Sequence, residues 1–422
     1  MSRSVAVTAL GAAIALAVTA CGGVTNQADD APAAGSGGAE GTVSTADCVD
    51  PAAAEAVIDD VVNIGWTVPL SGPYAGVWQL ITDAFAARMA LYNEQGGAGG
   101  VDVRFFSTDS KLDPETAKAL GNEMIQKDGA DIISTTGTGQ VATMIDDAAA
   151  ACVPFVAATS ASAVYRDAAT YPWTTLYLPS VSLETSAIVA AIEREFPDGA
   201  TLAIGISPSE SGTVYADAMK ASAEGTGVEI VEEASLADPS AAATTLKASG
   251  ADALFVASAA QECLALTTAI SRVGWAPSVY QNSTCADASL YEPAGAAADG
   301  QQVFKYEIIP SLAEFADTPA VQQYLADAEA QGLEDPMSNW SVTGWSIGEV
   351  YADLLTAAAE SEGGLSRLSI MEAARTQDFH PATFIEGIDF DTATGGVTGM
   401  QPFAWDATAK QFVLNGDPVI VN

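Results

Sequence analysis

Residues 61–97 read VVNIGWTVPLSGPYAGVWQLITDAFAARMALYNEQGG, and the fold follows from how this stretch divides. VVNIGWTV (61–68) is a short apolar run rich in β-branched and aromatic residues, as in a strand buried on both faces. PLSGPYA (69–75) carries two prolines and a glycine and reads as a loop. From Ile81 onward apolar residues recur at spacings of three and four and stop at Gly96-Gly97, which predicts a helix with a glycine end.

The same alternation runs outward from this unit. VDVRFFSTD (101–109) reads as a strand, and Pro114 opens the helix PETAKALGNEMIQKDG in the favoured first-turn position. ADIISTT (130–136), GQVATMIDDAAAA (139–151) and VPFVAA (153–158) give strand, helix and strand. The pattern restarts with the helix SLETSAIVAAIEREF (182–196). It continues through strands ATLAIGIS (200–207), VEIVEEA (228–234), ADALFVAS (251–258) and SVYQNS (278–283), with helices between them. Strands alternating with helices predict parallel sheets covered on both faces. A chain of 422 residues is too long for one compact core. The expected fold class is therefore α/β, with two doubly wound parallel-sheet lobes. Ligands of such sheets bind beyond the carboxyl ends of the strands, so the functional residues are expected in the loops after those strands.

Hydrophobic residues make up 49% of the chain and charged residues 16%, the composition of a packed globular body. Acidic side chains outnumber basic ones 54 to 15, for a formal net charge of −39. Such a surface repels nucleic acid and anionic headgroups, so neither is expected as a partner. It does not identify a cationic ligand, because a solvated acidic shell explains it equally.

Arg3 supplies a short positive region, and Val5 to Ala17 an apolar stretch too short to span a bilayer comfortably. It ends in Val18-Thr19-Ala20-Cys21, followed by Gly22-Gly23, which looks like a bacterial lipoprotein box. Residues 1–21 are thus expected to be a signal peptide ending at a lipidated Cys21, and residues 22–47 a flexible tether. That address puts the body outside the cytoplasm, held to the outer face of the cell membrane by the lipid alone. Cys48, Cys152, Cys263 and Cys285 remain, an even number in an oxidising compartment. Four cysteines allow three pairings. Cys263–Cys285 is favoured because each follows a strand of what should be one sheet, and Cys48–Cys152 then follows by elimination. A metal site is disfavoured, since there is no CxxC or Cys/His cluster and His380 is the single histidine.

No catalytic motif stands out: GxSxG, HExxH, the P-loop and the kinase set are missing. Gly137-Thr138-Gly139-Gln140-Val141-Ala142 fits GxGxxA, but it follows the third strand and lacks the acidic ribose partner of a dinucleotide site. Its physical content is a Gly-rich turn that leaves helix-start amides free to grip a carboxylate or carbonyl. Ser71 and Tyr74 after the first strand, and Thr159, Ser160 and Ser162 after VPFVAA, converge on the same edge.

PLSGPYA, NEQGG, DPETAKALGNEMI, a Gly/Ser/Thr turn and VPFVAATSAS, in that order, resemble the branched-chain amino-acid binding protein family of ABC importers, the type I periplasmic binding proteins. The resemblance implies two lobes joined by three hinge crossings, near Leu178-Pro179, near Ile308-Pro310 and within 392–399. It gives a first lobe of 48–178 plus 309–392 and a second of 179–308 plus 393–422. It implies that Thr138, Gly139, Gln140, Thr159, Ser160 and Ser162 hold a ligand carboxylate, and that Tyr74, Trp78 and Trp345 supply aromatic walls. In the second lobe the family's acid for a ligand ammonium is replaced around Gln281, Asn282 and Ser283, with Glu262 a possible substitute. The aromatic of the ATLAIGIS loop is replaced by Ser211, with Tyr215 one turn later. The expected function is capture, without catalysis or cofactor, of a small polar ligand (an amino acid or amide-like molecule). A monomer would deliver it to the permease of an ABC importer; a sensory receptor of the same fold is the alternative.

Overall fold

The computed structural model describes residues 43–258, 261–391 and 396–420. The expected signal peptide with Cys21, the tether as far as residue 42 and residues 392–395 of the expected third crossing lie outside these.

The elements run α1 (Pro51–Glu55), β1 (Val61–Val68), α2 (Ala75–Glu94), β2 (Asp102–Asp109), α3 (Pro114–Gln126), β3 (Ile132–Thr135), α4 (Thr138–Ala151), β4 (Phe155–Ala158) and β5 (Thr174–Leu176). There follow α5 (Val181–Glu195), β6 (Ala200–Ile206), α6 (Glu210–Ala223), β7 (Val228–Ser235), α7 (Pro239–Ser249), β8 (Ala253–Ala257), α8 (Gln261–Arg272), β9 (Ser278–Gln281) and β10 (Gln302–Lys305). The chain ends with α9 (Ala313–Ala316), α10 (Pro319–Ala330), α11 (Asn339–Ala359), α12 (Arg367–Thr376), β11 (Phe390–Asp391), β12 (Gly396–Val397), β13 (Gly399–Asp406), β14 (Gln411–Leu414) and β15 (Val419–Ile420).

Two large sheets result, as the alternation predicts, beside a small antiparallel pairing of β11 with β12. The first has the order β2-β1-β3-β4-β5, with every pair parallel. The second runs β14-β13-β10-β9-β8-β6-β7, parallel from β10 to β7, with β13 antiparallel to β10, β14 and β15. Burial of β1, β3, β4 and β8 along nearly their whole length explains why these strands read as continuous apolar runs. Helix starts obey local chemistry: Asp113 caps α3 by accepting from the Thr116 amide at 2.8 Å, with Pro114 in the first turn. Ser180 and Asp238 cap α5 and α7 in the same way.

The link from β5 to α5 carries the chain from the first sheet to the second, and the segment after β10 carries it back to α10 and α11, which pack on α2. Contact between α11 and α2 is close enough to need glycine: a Cβ on Gly344 would lie 2.1 Å from the Ile81 carbonyl oxygen. Beneath that contact Trp66 of β1 meets Phe85, Phe105 and Tyr351, with ring centroids 4.2, 5.1 and 6.3 Å away. This cluster clamps α2 and α11 onto the first sheet.

Disulfides join Cys48 to Cys152 and Cys263 to Cys285, with Cα atoms 5.5 and 6.0 Å apart. The first closes a separation of 104 residues and the second one of 22. Loop-closure entropy makes the longer cross-link the more stabilising, at about 4.7 kcal/mol for 100 residues against about 3 for 15. Replacing Cys48 and Cys152 by Ser should therefore lower unfolding free energy by more than replacing Cys263 and Cys285, by roughly 1 kcal/mol. Denaturant titration of the two double variants reads this directly, and a larger loss from the shorter loop would refute the ordering.

Candidate functional site

The carboxyl ends of β1, β3 and β4 face those of β6, β8 and β9 across a cavity of about 430 Å³, within the range of small-molecule sites. At its first-lobe wall the turn from β3 to α4 passes through Gly137 at φ 99°. Only glycine fits there: besides the left-handed backbone, a Cβ would come within 2.2 Å of Gln140 Oε1. The first intrahelical bond runs from Val141 N to Gly137 O at 3.0 Å, and no side chain among the described residues caps the helix. The amides of Thr138, Gly139 and Gln140 therefore open α4 at the cavity with the positive end of the helix dipole behind them. Such a terminus suits a carboxylate or a carbonyl.

Around it, Thr159 Oγ1 donates to Thr136 Oγ1 at 2.6 Å, and Thr138 Oγ1 accepts from Ser160 Oγ and from the Ala161 amide, each at 3.2 Å. Tyr74 and Trp78 of the first loop and α2 line the same wall. Burial, reinforced by the charge of Glu262, pushes the Tyr74 phenol up to about 12, so it stays protonated at neutral pH.

Ser207, Ser209, Ser211, Tyr215, Ser258 and Asn282 form the facing wall, with Glu210 at its edge. Two contacts close the gap. Thr138 Oγ1 and Ser211 Oγ lie 3.0 Å apart. Asp287, after β9, accepts from Ser338 Oγ and the Asn339 amide at the start of α11, both at 3.0 Å. On the floor, Tyr177 donates to Glu307 Oε1 at 2.9 Å, while Glu307 Oε2 receives Lys305 Nζ at 2.7 Å and Thr343 Oγ1 at 2.8 Å.

Of the residues expected from the sequence, Tyr74, Trp78, Thr138, Gly139, Gln140, Thr159, Ser211, Tyr215 and Asn282 line the cavity. Others do not. Trp345 is buried against Tyr324 at 5.4 Å between ring centroids; Trp340, Thr343 and Ile347 hold the cavity face of α11 at helical spacing, and Trp345 points away from it. Gln281 alternates to the other side of β9, where its amide donates to Gln301 Oε1 at 2.5 Å. Ser283 turns its amide to Glu184. Ser160 stands behind Thr138, Ser162 donates its amide to Ser160 Oγ at 3.1 Å, and the Ser71 hydroxyl bonds Asp109. Glu262 lies behind Ser207, accepting from its hydroxyl at 3.1 Å.

Sequence reasoning missed Tyr177, Trp340, Thr343 and the buried carboxylates Glu184 and Glu307. Ser207 and Ser258 were within reach, since both end strands whose following loops the strand-end rule selects. Glu184 is fully buried on α5, accepting from Tyr215 Oη at 2.7 Å and from the Ser283 amide. Burial pushes its carboxyl up to about 7, against the lowering effect of these bonds. Among the described residues, no cluster of three or more His, Cys, Asp or Glu could hold a metal, and no helix is long and apolar enough to cross a membrane.

In the unfolded chain the Glu184 carboxyl titrates near 4.5, and in the folded one near 7. The folded state thus holds this proton more tightly, so the carboxyl's contribution falls as pH rises between those values, by roughly 3 kcal/mol. Glu184→Gln should remove that part of the pH dependence. Urea titrations of both proteins at pH 5 and 8 test it; parallel losses would show that Glu184 is ionised throughout.

A family model described as periplasmic binding protein matches residues 61–410. No curated protein matches the chain. Among solved structures, a branched-chain amino acid ABC transporter protein from Thermus thermophilus with bound valine is 17% identical with TM-score 0.75, covering 85% of this chain and 96% of its own. A solute-binding protein from R. palustris in complex with 4-hydroxybenzoate is 19% identical with TM-score 0.71, covering 86% and 98%. The substrate-binding protein LivJ of Streptococcus pneumoniae in complex with isoleucine is 15% identical with TM-score 0.69, covering 86% and 99%. At these identities the likeness is one of fold.

Proposed function

The chain belongs to the periplasmic binding protein family, and from that premise we propose that it captures a small polar solute between its lobes and hands it to an ABC importer. The observation that carries this reading is the cavity itself. It is walled by both sheets' carboxyl edges, and the uncapped start of α4 is aimed into it. A carboxylate or carbonyl of the ligand meets the Thr138, Gly139 and Gln140 amides. Tyr74, Trp78 and Trp340 enclose its apolar body. Amino acids and amide-like molecules have this shape, and the similar structures named above hold valine, isoleucine and 4-hydroxybenzoate.

The protein works by binding and release without chemical change to its cargo. It acts as a monomer outside the cytoplasm, held at the membrane by a lipid on Cys21. The box Val18-Thr19-Ala20-Cys21 supports the anchor, and the acidic surface offers anionic headgroups no other attraction.

Two measurements test the reading. Thermal shift against amino acids, amides and benzoates should find a binder, since ligand at 100 times its Kd adds about 2.7 kcal/mol to the folded state. Thr138→Ala should then weaken that binder by about 1 kcal/mol, and unchanged affinity would move the ligand elsewhere. Separately, cells expressing Cys21→Ser should release the protein into the medium, whereas continued attachment would rule out the lipid.

A further inference from the structure

A hydroxyl has one proton to donate and two lone pairs to accept with, so partners already present dictate what it can still offer a ligand. On the second-lobe and floor sides of the cavity five such protons are committed, while Ser211, which accepts from Thr138, keeps its own. Ser207 Oγ donates to Glu262 at 3.1 Å, and Tyr215 Oη to Glu184 at 2.7 Å. Tyr177 Oη and Thr343 Oγ1 donate to Glu307 at 2.9 and 2.8 Å. Thr284 Oγ1 donates to the Ser258 carbonyl at 3.0 Å. Carboxylates and carbonyls only accept, which fixes the direction of each bond. The first-lobe side is the reverse. Thr138 Oγ1 accepts from the Ser160 hydroxyl and the Ala161 amide and so gives its own proton to Ser211 Oγ, 3.0 Å away, which leaves the α4 amides, groups that can only donate, as what this side offers a ligand.

We propose that Glu184, Glu262 and Glu307, acting through Tyr215, Ser207, Tyr177 and Thr343, make the patch that these four hydroxyls form on the second-lobe and floor sides of the cavity a hydrogen-bond acceptor surface. The ligand selected is one with an acceptor group for α4 and a separate N–H or O–H donor group for the opposite wall. This deepens the capture reading and rests on it. The three acids are positioning residues, since Ser207, Tyr215, Tyr177 and Thr343 line the cavity and the acids stand behind them. A ligand bringing a second acceptor, such as a dicarboxylate, meets lone pair against lone pair. One bringing nothing leaves the wall's lone pairs dry, a loss on the order of tenfold in affinity. An acid is thus at work on the side where the sequence shows Gln281, Asn282 and Ser283 in place of one. It sits one hydroxyl further back, contributed by α5, the start of α8 and the segment after β10.

The test uses calorimetric titration of the full chain near pH 8, above the value of about 7 to which burial raises Glu184. The probes are two matched pairs, valine against 3-methylbutanoate and 4-hydroxybenzoate against terephthalate. In whichever pair binds, the donor-bearing member should be favoured by about tenfold or more. An amide in place of a carboxylate can donate back and release the hydroxyl proton. Glu262→Gln, at the half-buried rim, and Glu184→Gln and Glu307→Gln, in the interior, should therefore each shrink that ratio without abolishing binding of the other member. A purely structural role would weaken both members alike. Equal affinities in the parent protein, or ratios unmoved in every variant that folds, overturn the polarity assignment alone. If no probe binds, the capture reading falls, and this inference with it.

Discussion

A carboxylate taken out of water must recover its hydrogen bonds from the protein or surrender its charge. Glu307 recovers them from three directions: Lys305 at the end of β10, Tyr177 in the link between the sheets and Thr343 on α11. The ion pair is nearly inaccessible, with side-chain exposures of 5% and 1%. Breaking one arm would strand a charge in the interior, so the three segments are obliged to stay together. One arm belongs to the second sheet, one to the helix packed on α2, and one to the connection between them. The pivot of the molecule is therefore an electrostatic obligation, and the cavity forms above it.

Elsewhere the seam between the lobes is made differently. Thr138 touches Ser211 through hydroxyls, and Asp287 meets the positive start of α11. Each such bond is worth about 1 kcal/mol net, because water replaces it when the surfaces part. Apolar packing over the same area would have locked the lobes shut. The pivot is costly to break, while the seam exchanges readily with water.

The parallel sheets were legible because strands buried on both faces must be apolar along their length, and because Gly, Pro and Asp mark the turns between them. The α4 turn was legible too, since a glycine at positive φ before a helix leaves few alternatives. Orientation within elements was harder. Trp345 and Trp340 lie five residues apart in one apolar helix, and only packing against Tyr324 reveals which faces inward. The short strand Gln302–Lys305 escaped notice because Gln301, Gln302 and Lys305 leave only two apolar residues between them, where β3 and β4, of the same length, sit in longer apolar runs. Glu184 and Glu307 were invisible for a deeper reason: on a chain with 54 acidic residues, nothing local distinguishes a buried one. Their partners Tyr215, Ser283, Tyr177 and Thr343 are brought to them by topology, and only Lys305 is a neighbour of Glu307 in sequence.

The acid excess also bears on how the cavity can discriminate. A bare carboxylate in a cleft attracts any cation, and on a chain of net charge −39 it adds to a field that already concentrates them. Placed behind a hydroxyl, the same charge also fixes where the hydroxyl proton points, and so the direction in which the oxygen's lone pairs face. Burial first, and then the carboxylates behind them, make Tyr215 and Tyr177 hold their phenolic protons more firmly, so at neutral pH they accept without ionising. Selectivity then rests on whether a ligand donor meets an oriented lone pair, a geometric condition that small hydrated cations do not satisfy and that surface charge does little to change.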